Sequence, residues 1–234
     1  LSQAQGDPGE LDVILQRCAV TDLEGILVTA GKRSLPRKSV VEFGWVVGLP
    51  NRVETDTYFH VKYSPDRSTA ARERAEGEES RTANVGQAIF HRPASSGVYA
   101  MVLNLETARI GFNDISQSYP VSEEQRRKRM KVLLESVLYT FLEPGGAMRS
   151  TQNPHLVGFQ GVISISHDVV PAPCISPINA NFVQDVCAIG DALNQLRPGV
   201  VEVLEFTSPR EFADIMVRLI QNAVPMTLPV ANHA

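Results

Sequence analysis

Apolar residues recur at helical spacing between Glu10 and Val20, at Leu11, Ile14, Leu15 and Cys18, before Gly25 and Gly31 interrupt the pattern. That spacing predicts a short amphipathic helix. β-branched and aromatic residues dominate Val40 to Val47 and predict a strand, entered from a basic loop over Lys32 to Ser39. A second short strand is expected from Tyr58 to Tyr63. Farther on, the extended runs Gln87 to Arg92 and Val98 to Leu105 flank the turn-rich Pro93-Ala94-Ser95-Ser96-Gly97, which is a hairpin pattern. The second of these runs is apolar on both faces, so it is expected deep in a sheet.

The clearest element is a helix from Glu123 to Leu142, in which Met130, Leu133, Leu134, Val137, Leu138 and Phe141 share one face. Ser122 and Gln125 form a capping-box pattern at its start, and Pro144-Gly145-Gly146 ends the run. A strand over Val162 to Ser166 follows. Phe182, Val186, Ile189, Leu193 and Leu196 predict a helix, and Val200 to Phe206 a further strand. Ser208-Pro209-Arg210-Glu211 combines an N-cap, a first-turn proline and an N3 carboxylate, and opens a last helix carrying Phe212, Ile215, Met216, Leu219 and Ile220. Strands and helices interleave without strict βαβ alternation, and no glycine-rich dinucleotide or phosphate loop occurs, so the expectation is an α+β fold.

Composition narrows the function classes. With 234 residues, 43% hydrophobic and 21% charged, the chain has the profile of an ordinary globular domain. A net charge of -4 argues against a generally basic nucleic-acid binder, so any phosphate-binding surface must be local. Cys18, Cys174 and Cys187 are odd in number and lack metal-site spacing, which points to a reducing compartment without disulfides or zinc. No apolar run approaches the roughly 18 residues of a membrane span and no signal-peptide pattern opens the chain, so a cytoplasmic protein without membrane partners is expected.

Candidate chemistry is sparse. His60, His91, His155, His167 and His233 sit in no metal-ligand spacing, and neither a metal nor a cofactor is expected. His167 and Asp168 are adjacent on an extended chain and point apart, which suits a polar strand end better than an acid–base pair. Ser95-Ser96-Gly97 lacks the hydrolase elbow. The charges between Ser64 and Gly86 nearly balance, fitting a solvated loop as well as a binding element. Arg126-Arg127-Lys128-Arg129 with Lys131 wraps more than a full helical turn and cannot face one ligand, so a solvated face is expected there. A better phosphate candidate is the run 145–152, where two glycines permit close approach and Arg149, Ser150, Thr151 and Gln152 offer donors.

The succession Gln87-Ala88-Ile89-Phe90-His91-Arg92-Pro93-Ala94-Ser95-Ser96-Gly97-Val98-Tyr99-Ala100, the capped helix, and Pro144-Gly145-Gly146-Ala147-Met148-Arg149-Ser150 resembles the DevR, or Cas-seven, family of CRISPR-associated proteins. Asp22-Leu23-Glu24-Gly25-Ile26-Leu27-Val28, Arg37-Lys38-Ser39-Val40-Val41-Glu42-Phe43 and Phe59-His60-Val61-Lys62 are also similar to it. Similarity covers most of Asp22 to Ser166 and is diffuse beyond.

The resemblance implies one RRM-like (ferredoxin-like) palm over residues 1–234. Residues 1–36 would belong to a helical fingers insertion, 50–97 to a protruding thumb and 98–220 to the remainder of the palm. The family's first palm strand and the helix after it would precede Leu1. The resemblance further implies a non-enzymatic crRNA-binding backbone subunit of a type I Cascade complex. Its partners would be crRNA, target DNA reached through the guide, further copies stacked head to tail, and other Cascade subunits. Arg37, Lys38, Ser39, His60, Lys62, Met148, Arg149, Ser150 and Gln152 would hold the sugar–phosphate backbone. Met148 stands where some relatives carry Lys, which puts more of the electrostatic work on Arg149. Two alternatives remain at this point: an RNA-cutting subunit of the type III kind, with Asp56 or Asp66 as the acid, and a regulatory or structural protein that binds no RNA.

Overall fold

The computed structural model describes residues 8–30, 33–63, 87–143 and 155–229. The chain separates into two compact units, one formed by residues 1–45 with 101–234 and the other by Val46–Ala100.

In the first unit the expected N-terminal helix is broken in two. α1 spans Pro8–Arg17 and α2 spans Ala19–Glu24, with Cys18 between them in an extended conformation at φ -131° and ψ 111°. The break lets each piece serve a different core. Leu11 and Leu15 of α1 are fully buried with Leu35 and Val121, whereas Leu23 of α2 joins the main cluster. β1 (Ile26–Ala30) and β2 (Arg33–Arg37) then form an antiparallel pair in the register Ile26↔Arg37 to Ala30↔Arg33. Most of the expected basic loop is therefore strand, and Pro36 is accommodated because a two-stranded ladder leaves one side of each strand without ladder bonds.

The strand expected over Val40 to Val47 is shorter. β3 is Val41–Phe43 and pairs antiparallel with β6, Leu103–Leu105. The second unit, Val46–Ala100, lies between them in the sequence. A 3-10 turn, Thr107–Arg109, follows β6.

α3 spans Glu123–Leu142 as the periodicity predicts, and the Ser122 hydroxyl accepts the Gln125 N–H at 3.4 Å. Its inner face, Met130, Leu133, Leu134, Val137 and Leu138, is buried against Val40, Val41, Ile110, Phe206, Phe212 and Met216. β7 (Gly161–Ser166) and β8 (Val201–Phe206) pair antiparallel, joined through α4 (Phe182–Leu196), and α5 (Pro209–Asn222) closes the unit. Ser208 caps α5 by accepting the Glu211 N–H at 3.2 Å, with proline in the first turn. Phe141, Phe159, Phe206 and Phe212 cluster with ring centroids 5.1–6.0 Å apart, in tilted and edge-on arrangements that aromatic quadrupoles favour. Charge is uneven along the chain: residues 155–234 hold three arginines and no lysine against seven carboxylates.

The second unit is a long antiparallel ribbon of β4 (Val47–Tyr63) and β5 (Gln87–Ala100). Pairing runs Val47↔Ala100 and Gly48↔Tyr99, shifts between Gly48 and Val53, and resumes as Val53↔Gly97 through Tyr63↔Gln87. The expected turn at Pro93 to Gly97 is thus interior to β5, opposite Val53 to Thr57. The irregularity lies in the other strand, where Asn51 adopts φ 59°. Nor does Val98 to Leu105 lie deep in a sheet. The run divides between β5 and β6, and Val98 and Tyr99 are exposed.

Among the described residues the strands form four separate two-stranded antiparallel ladders, so the chain mixes helices with small antiparallel sheets. No described helix is long and apolar enough to cross a membrane.

Candidate RNA-binding surface

Arg37, Lys38 and Ser39 sit where β2 leaves its ladder and turns toward β3. Along this stretch Ser34, Pro36 and Lys38 are exposed while Leu35 and Arg37 are buried, the alternation of an extended chain. Arg37 therefore faces inward, and its side chain has no exposure. Its Nη2 donates to Asp22 Oδ1 at 2.8 Å and to the Arg109 carbonyl at 2.7 Å, and its Nη1 to Asp114 Oδ2 at 2.8 Å and to the Phe112 carbonyl at 2.9 Å. The expectation that Arg37 grips RNA phosphate is corrected on this point. The guanidinium fork is already occupied inside the protein, and strand alternation puts it there.

Gly25 makes the inward turn possible. Its φ is 80°, and a Cβ at that position would lie 2.6 Å from the Arg37 carbonyl oxygen and 2.7 Å from the Ser39 nitrogen, both backbone atoms. The chain between α2 and β1 can thus pass directly against residues 37–39.

Lys38 faces outward, 60% exposed, with its ammonium 2.6 Å from Glu42 Oε1 and 3.9 Å from Glu106 Oε2. The Glu42 hydrogen bond, helped by the Glu106 charge, holds the Lys38 amine above its ordinary range, and Lys38 in turn holds Glu42 below the usual carboxylate range. Ser39 serves the turn itself: its hydroxyl accepts the Val41 N–H at 3.0 Å and can donate to the Leu23 or the Val41 carbonyl.

His60 and Lys62 stand opposite Phe90 and Ala88 in the β4–β5 ribbon, within the other unit. Met148, Arg149, Ser150 and Gln152 lie outside the described residues, as do the segment Ser64 to Gly86 and its Asp66. Of the nine positions, then, the structure brings Arg37, Lys38 and Ser39 together, and Lys38 is the exposed cation of that group.

Beneath Lys38 lies a ladder of alternating charge running from the interior to the surface: Arg129, Asp22, Arg37, Asp114, Arg109, Glu106, Lys38 and Glu42. Asp22, fully buried, accepts from Arg37, from Arg129 Nη1 at 2.7 Å and from the Gly111 N–H at 2.8 Å. Burial opposes ionisation of Asp114, but the hydrogen bond and charge of Arg109, together with Arg37, outweigh it and hold this carboxyl below its ordinary range. Arg109 reaches Asp114 through Nε at 3.1 Å and Nη2 at 2.7 Å, Glu106 at 2.7 Å, and the carbonyls of Ser39 and Lys38 at 3.3 Å each.

The basic run on α3 is sorted by the same logic. Arg126 and Arg129 are buried, while Arg127 and Lys128 are exposed and paired with Glu123 and Glu124. The solvated face expected for all of these residues and for Lys131 holds for Arg127, Lys128 and Lys131 and fails for Arg126 and Arg129. The signal was available: 126, 129, 130, 133 and 137 continue the stripe of the helix's inner face. Arg126 lies 3.9 Å above the Tyr119 ring and binds the carbonyls of Ile110 and Met226 and the Thr227 hydroxyl.

Cys18, Cys174 and Cys187 are free thiols. Among the described residues no three His, Cys, Asp or Glu side chains gather in a way that could hold a metal ion. No curated protein matches the sequence. A profile of the family described as CRISPR-associated negative auto-regulator DevR/Csa2 matches residues 3–187. That span takes in the whole of the second unit and the first unit as far as the start of α4, including the charge ladder with Lys38. The chain belongs to the DevR/Csa2 family, a CRISPR-associated family of the Cas-seven type.

Proposed function

We propose that the chain is a crRNA-holding backbone subunit of a type I CRISPR surveillance complex, Cascade, and that it catalyses nothing itself. Membership of a CRISPR-associated family over residues 3–187 is the observation that carries this reading. Several copies stack head to tail along one guide in the cytoplasm, each gripping ribose and phosphate and leaving bases free to pair with target DNA. Sequence specificity then comes from the guide, and the protein supplies shape and charge. In this reading the first unit contains the RRM-like palm, and residues 50–97, which fall within the second unit, form the thumb that crosses the guide.

Lys38 supports the reading as an exposed cation on a rigid turn. Its carboxylate partners are half-buried groups at the surface, within reach of solvent, so a phosphate can replace Glu42 at modest cost. The remaining backbone contacts fall to Ser39, His60, Lys62, Met148, Arg149, Ser150 and Gln152. Arg37 is reassigned to holding the turn in place. A net charge of -4 is compatible with this role because only the groove must be basic.

Purifying the assembled complex through a tag on this chain tests the proposal. Guide-length RNA should co-purify and resist nuclease. Recovery without nucleic acid would favour a regulatory or structural role. Regular cleavage of a complementary RNA in Mg²⁺, abolished by Asp56→Asn, would favour an endoribonuclease.

A further inference from the structure

Resting on the RNA-holding reading, we infer that Arg109 is a positioning residue that fixes the Lys38–Ser39 turn for phosphate contact without touching RNA itself. The residue lies 70 positions or more along the chain from this turn, at the end of the 3-10 helix, and no motif singled it out. Its side chain is only 14% exposed. Both Nη atoms are already shared between a carboxylate and a turn carbonyl: Nη1 between Glu106 and Ser39, Nη2 between Asp114 and Lys38.

Two successive carbonyls, of Lys38 and Ser39, are thereby turned toward one guanidinium. Because the peptide is planar and trans, orienting the Lys38 carbonyl also sets the opposite direction of the Ser39 N–H. The two carboxylates give the guanidinium its own fixed orientation, and Asp114 is anchored in turn by the buried Arg37. The exposed Lys38 ammonium thus stands on a turn whose backbone is tied to the fully buried Asp22 through the sequence Arg109, Asp114 and Arg37. Preorganisation of this kind lowers the ordering cost of a binding group.

Positioning and direct contact differ in their salt dependence. Each phosphate contact on single-stranded RNA contributes about 0.7 to the slope of log affinity against log salt, so loss of a contact lowers the slope and loss of positioning does not. They also differ in rescue, because lysine replaces a point charge at a phosphate but cannot reproduce a planar fork bridging two carboxylates and two carbonyls.

The test titrates a labelled single-stranded RNA of mixed sequence against wild type, Lys38→Ala, Arg109→Gln and Arg109→Lys across a salt series. Circular dichroism first establishes the folded fraction of each. Should Arg109→Gln not fold, Arg109→Lys, which keeps a cation beside Asp114, carries the comparison. Lys38→Ala should lower the slope by about 0.7. Both Arg109 variants should bind about tenfold more weakly at unchanged slope, the loss expected for charge-assisted hydrogen bonds. A slope that falls in Arg109→Gln and recovers in Arg109→Lys would make Arg109 a direct contact and overturn the inference. Wild-type affinity in folded Arg109 variants with a lowered melting temperature would reduce the residue to a purely structural role. If Lys38→Ala itself changes neither affinity nor slope, the RNA-holding assignment of this surface fails, separately from the role of Arg109.

Discussion

Asp22 and Arg37, fifteen residues apart, meet at 2.8 Å with no exposure of either side chain. A buried ion pair of this kind adds little net stability, since desolvation offsets attraction, but removing one partner strands the other. Asp22 neutralises two buried guanidinium groups, Arg37 and Arg129. Asp22→Asn, which preserves shape and deletes the charge, should therefore destabilise the fold by about 3–5 kcal/mol. Urea unfolding followed by circular dichroism checks this, and a midpoint equal to wild type would contradict the hub.

Acid should weaken the ladder at Asp114. Its folded-state pKa is depressed, so the stability it contributes is present above the unfolded value near 3.9 and is lost as pH falls through the lower folded value. Thermal melts of wild type should fall steeply below about pH 4, and those of Asp114→Asn should fall less across the same interval.

Gly25→Ala should be costly despite the small change. The new methyl would meet two backbone atoms at a left-handed φ of 80°, and neither neighbour is a flexible side chain. A loss of about 3 kcal/mol is expected from strain and overpacking together. A melting temperature within a degree or so of wild type would show that the turn can move aside.

Arg126 and Tyr119 pin residues 226–228 against the first turns of α3: Tyr119 accepts the Leu228 N–H at 2.9 Å, and Arg126 binds Met226 and Thr227. Arg126→Met keeps the apolar stem and removes these bonds. Amide exchange at residues 226–228 should accelerate markedly while the core of α3 remains protected. Uniform acceleration throughout α3 would show that Arg126 supports the whole helix instead.

The regular helices were legible because their signals are local. The stripe from Met130 to Phe141, the Ser122 and Ser208 caps and the first-turn Pro209 each act within a turn or two, and their elements appear where the sequence puts them. The turn expected at Pro93 to Gly97 failed for the opposite reason. Proline and glycine normally break strands, but pairing with Val53 to Thr57, some forty residues away, overrides local preference. Arg37 shows the same limit in the candidate site. Its basic neighbourhood suggested a surface; strand alternation turns it inward, and only Asp22, Arg109 and Asp114, arriving from other segments, make that interior position tenable for a charge. The resemblance located the 37–39 turn, but it did not indicate which way each side chain faces.

The seven carboxylates and three arginines after residue 154 leave that stretch at -4, whereas the residues before it balance to zero. In the proposed RNA-holding role, this acidic stretch disfavours a polyanionic strand in its own neighbourhood and leaves the earlier residues to receive it. High ionic strength, by screening that repulsion, should then make encounters less selective.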